Sequence, residues 1–347
     1  MKRSALRGVL AGALMLTAWL SAGAREWVTD VALGKPFEMT TVHQPDDYSG
    51  TVYSTVVRLD EGKKTGKGVL YVHGFNDYFF QDEMAREWAQ HGYEFYAVDL
   101  RKYGRSLRKW QKPFQARDMH EYFADLDSAL TIMTREGGVR EIVLMGHSTG
   151  GLITSLFMAS HPRYPIKALV LNSPFLDWNL GDTEKLIPAV SGVGKALPAL
   201  KIKQGASSAY SESLLAGEHG EWHYNTAWKM TQSPDVSAGW VRAITEAQQA
   251  LRGGKADIRV PVLLMMSEKS VHGSEWTPEH NRADGVLDVN DIYKYGMQLG
   301  KNVTPVRVQG GLHDLMLSAK GVRTPLYRYM FNWLAPILGR QTEMSGR

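Results

Sequence analysis

From residue 66 onward the hydrophobic positions fall into short, largely apolar runs at residues 68–72, 94–98, 141–145, 168–171, 260–266 and 303–308. Runs of that length without regular polar alternation predict strands covered on both faces, as in a parallel sheet. The stretches at residues 81–91, 120–136, 150–160 and 326–338 space their apolar residues differently and predict helices. Strand followed by helix, repeated, is the pattern of a doubly wound, mostly parallel α/β sheet. Two earlier runs, residues 36–44 and 51–59, alternate in part, are rich in Thr, Val, Tyr and Phe, and are bounded by Gly, Pro or Asp. They predict an antiparallel pair at one edge of that sheet.

One interval breaks the alternation. Residues 175–259 hold no strand run, four tryptophans (Trp178, Trp222, Trp228 and Trp240), Gly-rich turns and one predicted helix over residues 235–251. An ordinary crossover needs far fewer residues. The interval is therefore read as a cap inserted over the strand ends, where sheets of this class bind ligands. It divides the chain into a first core part at 25–174, the cap at 175–259 and a second core part at 260–347.

The N-terminus changes the compartment. Lys2, Arg3 and Arg7 surround the start of an apolar run from Gly8 to Leu20, followed by small residues at Ala22 and Ala24. This is the pattern of a secretory signal peptide over residues 1–24, cut after Ala24, and it predicts export to the periplasm or the medium. The apolar run falls short of the ~20 residues a membrane span needs, so no stable span is expected after cleavage. Loss of those three basic residues takes the formal charge from +4 to +1. A nearly neutral chain with no long basic run gives no footing for nucleic acid. Cysteine is absent, which excludes disulfides, thiolate metal sites and a cysteine nucleophile.

The chemistry enters with Gly146-His147-Ser148-Thr149-Gly150, which fits G-x-S-x-G where a predicted strand meets a predicted helix. In that setting the serine sits on a strained turn that projects Oγ above the sheet, and the glycines remove side chains that would collide with nearby backbone. A serine hydroxyl needs a base, and the base an orienting acid. His313, in Gln309-Gly-Gly-Leu-His-Asp-Leu315, follows the last predicted strand and precedes the last helix, and of eleven histidines it alone is so placed. His219 and His223 have helical ligand spacing, but Gly220 between them and the lack of a third ligand assign them to a surface loop, and no metal is expected.

These features resemble the α/β-hydrolase superfamily, in the serine aminopeptidase S33-like branch that includes monoacylglycerol lipases, lysophospholipases and related esterases. The resemblance is carried by His73-Gly74-Phe75, Asp99-Leu-Arg-Lys-Tyr-Gly-Arg-Ser106, the turn at Ser148 and Gly311-Leu-His-Asp314. It implies an eight-stranded α/β-hydrolase sheet with an inserted lid, a Ser-His-Asp mechanism without cofactors, and an ester or lipid small molecule as substrate. It also implies an oxyanion hole from the backbone N–H groups of Phe75 and Thr149, and structural roles for His73, Asp99 and Arg101. Lys102 stands where the family has glycine.

The acid departs from the family pattern. An aspartate is expected near position 270, where the chain reads Ser267-Glu-Lys-Ser-Val271. About 14 residues on, Asp284-Gly-Val-Leu-Asp-Val289 resembles the family's D-x-V-x-D turn, and Asp284 stands 29 residues before His313. Asp284 is the candidate acid, with Asp288 and Glu268 as alternatives. The apolar Leu186, Ile187, Val190, Val193, Leu197 and Leu200 beside the cap tryptophans suggest a cover for an acyl chain, and so lipid-like monoesters. Two other functions share this frame. A proline-iminopeptidase-type aminopeptidase would need cap acids such as Glu212, Glu218 and Glu221 for a free amine, and an inactive exported binding protein would keep the fold without turnover.

Overall fold

The computed structural model describes residues 25–204 and 207–339, so the predicted signal peptide lies outside the described residues. In chain order the strands are β1 (Val28–Thr29), β2 (Phe37–Asp47), β3 (Gly50–Leu59), β4 (Lys67–Val72), β5 (Glu94–Asp99), β6 (Glu141–His147), β7 (Ile166–Asn172), β8 (Lys201–Ile202), β9 (Val236–Ser237), β10 (Val262–Ser267) and β11 (Val303–Val308). The helices are α1 (Asp82–Gln90), α2 (Phe123–Thr131), α3 (Thr149–Ala159), α4 (Ile187–Ala196), α5 (Ala209–Leu214), α6 (Ala238–Leu251), α7 (Val289–Gly296) and α8 (Lys320–Leu338).

Among the described residues nine strands form the main sheet, in the order β1-β2-β3-β5-β4-β6-β7-β10-β11, while β8 and β9 pair with each other. The resemblance implied eight; the ninth is the two-residue β1, which adds antiparallel to the outside of β2. From β5 to β11 every neighbouring pair is parallel, and β1, β2 and β3 form the antiparallel edge. Pro305 sits in β11, the last strand, where a missing N–H breaks no second ladder.

The apolar runs form strands because both faces are covered. In β4, Leu70 and Val72 join a core with Leu126, Leu152 and Trp240 from α2, α3 and α6. Val69 and Tyr71 point into a second core with Met84 and Trp88 of α1 and Met330 and Leu334 of α8. Ile142 and Leu144 of β6 divide from Val143 and Met145 in the same way. Side chains alternate across a strand, so a run buried on both faces must be apolar throughout.

The segment between β7 and β10 carries α4, α5 and α6. The helix expected at 235–251 begins at Ala238, because the Ser237 hydroxyl accepts from Trp240 N at 3.1 Å and ends the extended backbone before it. The helix α4 lies against α6, and a Cβ on Gly194 would come within 2.2 Å of Ala238 O. Its hydrophobic residues face two ways. Ile187 is buried and Val190 packs on the core, whereas Leu186 and Leu197 are each 60% exposed, so the six predicted cover residues do not form one surface.

Parallel strands deliver their carboxyl ends to one edge of the sheet. The segments that follow β4, β6, β10 and β11 there hold His73 to Asp77, Ser148, Asp284 and His313.

Candidate active site

Ser148 lies between the end of β6 and the start of α3, with φ 51° and ψ −118°. A non-glycine residue with positive φ stores about 1–3 kcal/mol and persists only where its surroundings hold it. Here Ser148 N donates to Asn172 O at 3.0 Å, and Ser148 O accepts from Phe175 N at 2.9 Å and Leu152 N at 3.1 Å. The neighbouring glycines allow close approach: a Cβ on Gly150 would lie 2.3 Å from the carbonyl oxygens of Val72 and His73. One on Gly146 would lie 2.6 Å from Gly150 O. The turn is therefore pressed onto the end of β4, and a Cβ on Gly74 would meet Ser148 Cβ at 3.0 Å.

His313 follows β11 and is 2% exposed. Its Nδ1 lies 2.9 Å from Asp284 Oδ2, and Asp284 is fully buried. The other oxygen, Oδ1, accepts from Val286 N and Leu287 N, both at 2.8 Å. With Oδ1 taken by two amides, Oδ2 is the oxygen free to accept from His313 Nδ1–H, an arrangement that leaves the lone pair on Nε2. The displaced acid has a simple geometric account. Ser270 and Asp284 form a parallel bridge, with Asp284 N donating to Lys269 O at 3.0 Å and Val271 N to Asp284 O at 2.8 Å. The inserted residues leave as a loop and return Asp284 beside position 270.

The other two acids lie elsewhere. Asp288 caps α7, accepting from Asn290 N at 2.8 Å, and Glu268 is exposed, engaging through its backbone N–H to Val308 O at 2.9 Å. The rings of His147 and His313 are 4.8 Å apart, which brings His313 beside the turn at Ser148. Burial lowers the His147 pKa, outweighing the opposing charge of Asp314, and favours its neutral form.

Thr149 N–H opens α3, among the amides that a helix leaves without an internal partner. Phe75 follows Gly74 in the loop against Ser148, and its ring packs on Phe114 at 5.1 Å and Trp240 at 4.7 Å. His73 is fully buried, receives Leu100 N on Nε2 at 3.1 Å and donates from Nδ1 to Gly74 O at 2.8 Å. With both nitrogens engaged it ties the β4 and β5 loops together. Asp99 accepts from Phe79 N and from Arg105, and Arg101 forks onto the buried Asp125. Lys102 occupies a left-handed turn, φ 66°, the conformation glycine enters freely, and is held there by Nζ on Asp47 at 2.6 Å.

Several further residues of the site were given no role by the sequence. Asp314 is buried and accepts from Asn172 Nδ2 at 2.7 Å and Gln81 Nε2 at 3.0 Å, fixing the loop that presents His313. Tyr210 of α5 packs edge-on to His313 at 5.6 Å, and its hydroxyl accepts from Asp314 N at 3.1 Å. Asp77 and Lys229 form a buried ion pair at 3.0 Å. The Gly311-Leu-His-Asp314 motif contained one of these residues; the others needed the fold. The acids of the inserted segment are differently employed: Glu221 pairs with Arg323 at 2.8 Å, Glu212 accepts from Ser208, and Glu218 is exposed. His219 stacks on Trp276 at 3.4 Å. Next to the Phe75 ring, Phe114, Met230 and Trp240 line one wall of a cavity of about 470 Å³ that Lys112, Lys201 and Asp235 also border.

Comparison with known proteins agrees with this architecture. The family described as serine aminopeptidase, S33 (Hydrolase_4) matches residues 63–271, more than half of the chain. The chain is 24% identical over 204 residues to the monoacylglycerol lipase of Mycolicibacterium smegmatis, covering 58% of this chain and 69% of that one. It is 21% identical over 254 residues to lysophospholipase L2 of Escherichia coli, covering 70% and 72%. The crystal structure of the Paleococcus ferrophilus monoacylglycerol lipase superposes with a TM-score of 0.58 at 17% identity, over 86% of this chain and 99% of that one. That last likeness is one of fold.

Proposed function

The chain belongs to the Hydrolase_4 family of serine aminopeptidases, S33, and is a carboxylic ester hydrolase related to lipases and lysophospholipases; from that premise we propose that it works through Ser148, His313 and Asp284. The observation that carries this is the buried His313–Asp284 pair, 2.9 Å apart, at the strand edge that also bears the strained turn of Ser148.

On this reading His313 Nε2 takes the Ser148 proton as Oγ attacks the ester carbonyl. The N–H groups of Phe75 and Thr149 receive the oxyanion. The tetrahedral intermediate collapses, its C–O bond breaks, and the leaving alcohol takes the proton from His313. Water then gives a proton to His313 and attacks the acyl-serine; the bond from carbon to Ser148 Oγ breaks, Oγ takes the proton back from His313, and the acid is released. Asp284 keeps the imidazole proton on Nδ1 throughout.

Residues 175–259 act as a cap on a core made of 25–174 and 260–347. The apolar wall of the cavity of about 470 Å³ beside Phe75 suits an acyl chain, and the relatives include a monoacylglycerol lipase and a lysophospholipase. Lipid-like monoesters are the proposed substrates. Export is proposed from the pattern of residues 1–24 and is tested by fractionating cells that express the full chain, with the product expected outside the cytoplasm.

The enzymatic test uses p-nitrophenyl esters of graded acyl length, a prolyl anilide and a fluorophosphonate probe. Ester cleavage, Ser148 labelling and no anilide cleavage are expected, and Ser148→Ala is expected to lose several powers of ten in turnover while remaining folded. An alanine variant with undiminished activity overturns the mechanism. Anilide turnover in preference to ester indicates the aminopeptidase, and a chain that neither labels nor turns over indicates a binding protein.

A further inference from the structure

The loop after β4 is gripped from its far side by the inserted segment. Asn76 has φ 49°, and its side-chain amide donates to Met230 O and accepts from Met230 N, each at 2.8 Å. One residue on, Asp77 is 1% exposed. Its Oδ1 accepts from Lys229 Nζ at 3.0 Å, and its Oδ2 faces Gly74 N at 3.5 Å. Lys229 is itself 6% exposed and lies 5.7–5.9 Å from the rings of Phe80, Tyr210 and Tyr224. Trp240, from the same inserted segment, holds the Phe75 ring. Asn76 is therefore fastened directly to Met230, and Gly74, through a long contact with Asp77, is tied indirectly to Lys229.

An ammonium and a carboxylate buried together lose several kcal/mol of hydration each, and an apolar pair of similar size is often as stable. Overall stability is thus a poor account of this pair. Burial by itself raises the Asp77 carboxyl, but opposing influences, the charge and hydrogen bond of Lys229 foremost, hold it below its usual range. A charged Asp77 can bind Lys229 on one oxygen and face the Gly74 amide with the other.

We propose that Lys229 is a positioning residue for the oxyanion hole: through Asp77, and beside the Asn76–Met230 clasp, it fixes the Phe75 amide relative to Ser148. This rests on the reading of Phe75 N–H as an oxyanion donor. The cap segment around residue 229 is then a fixed part of the site, which completes the catalytic geometry from outside the sheet.

The test measures kcat and KM on a p-nitrophenyl ester, with thermal unfolding, for Lys229→Met, Asp77→Asn, their combination and Asn76→Ala. Loss of one well-placed oxyanion donor lowers kcat about 10²–10³-fold. Displacing it without deleting it should lower kcat about 10–100-fold, with KM changed less than about threefold. The double variant should lose no more than the worse single one, because each single already breaks the same link. Asn76→Ala, which strands no buried charge, carries the test where Lys229→Met does not fold. Folded variants with kcat within about twofold of the parent, or a loss confined to KM, overturn the proposal. A parent chain lacking Ser148-dependent turnover overturns the triad reading as well, and that result is visible before any of these variants is made.

Discussion

Replacement of Asp284 by asparagine tests the polarity of the His313 hydrogen bond with almost no change of shape. Oδ1 receives two backbone amides at 2.8 Å. Turning the new NH2 group toward them would leave donors facing donors in a fully buried place, at about 1–3 kcal/mol for each lost partner. The NH2 group therefore faces His313 Nδ1 across the 2.9 Å contact. The imidazole relieves this by moving its proton to Nε2, the nitrogen that accepts from Ser148 in the proposed mechanism. In serine hydrolases built this way the wrong tautomer lowers kcat about 10⁴-fold, or about 5–6 kcal/mol of barrier. Steady-state kinetics on a p-nitrophenyl ester, with circular dichroism to establish folding, provide the assay. Asp288→Ala is the matched control: it removes a helix cap, so stability should fall by about 1 kcal/mol with kcat unchanged. A folded Asp284→Asn enzyme with kcat within about tenfold of the parent refutes the reasoning, as does a larger loss from the Asp288 variant.

Gly150→Ala should fail in the turn itself, because its Cβ would meet two carbonyl oxygens at 2.3 Å. A stability loss of about 1–3 kcal/mol with lost activity is expected in denaturant titration and ester assay, and a neutral result would mean the turn has room for a methyl group. His147 gives a pH signature. Its folded pKa is lowered by burial from an ordinary value of 6.5, so the unfolded chain binds more protons just below that pH. The stability from its neutral form is complete above 6.5 and drains away as pH falls toward the folded pKa. Thermal midpoints measured between pH 8 and 5 should decline less steeply for His147→Gln than for the parent, and parallel curves would contradict the assignment.

Much of the frame was legible because it depends on local rules. The strands at 68–72, 94–98 and 141–145 announced themselves through short, largely apolar runs, and the turn at Ser148 through glycines that only a crowded backbone requires. His313 could be chosen because it follows the last strand of a parallel sheet, whose ends must share one edge. The extra edge strand β1 gave no signal, since two residues are too few to show a period. The faces of α4 were also illegible: Gly192, Gly194 and Pro188 interrupt its pattern, and only packing on α6 decides that Ile187 turns inward and Leu186 outward.

The sequence by itself determined the sheet, the strained serine and the family, since steric limits on the backbone and the two-sided burial of strands act over a few residues. Tertiary structure alone decided which carboxylate meets His313, because that depends on how a loop closes between Ser270 and Asp284. It alone joined Lys229 to Asp77, which are 152 positions apart. Charges so distant along the chain are brought into contact only by the packing of the inserted segment against the sheet. No local periodicity encodes that contact.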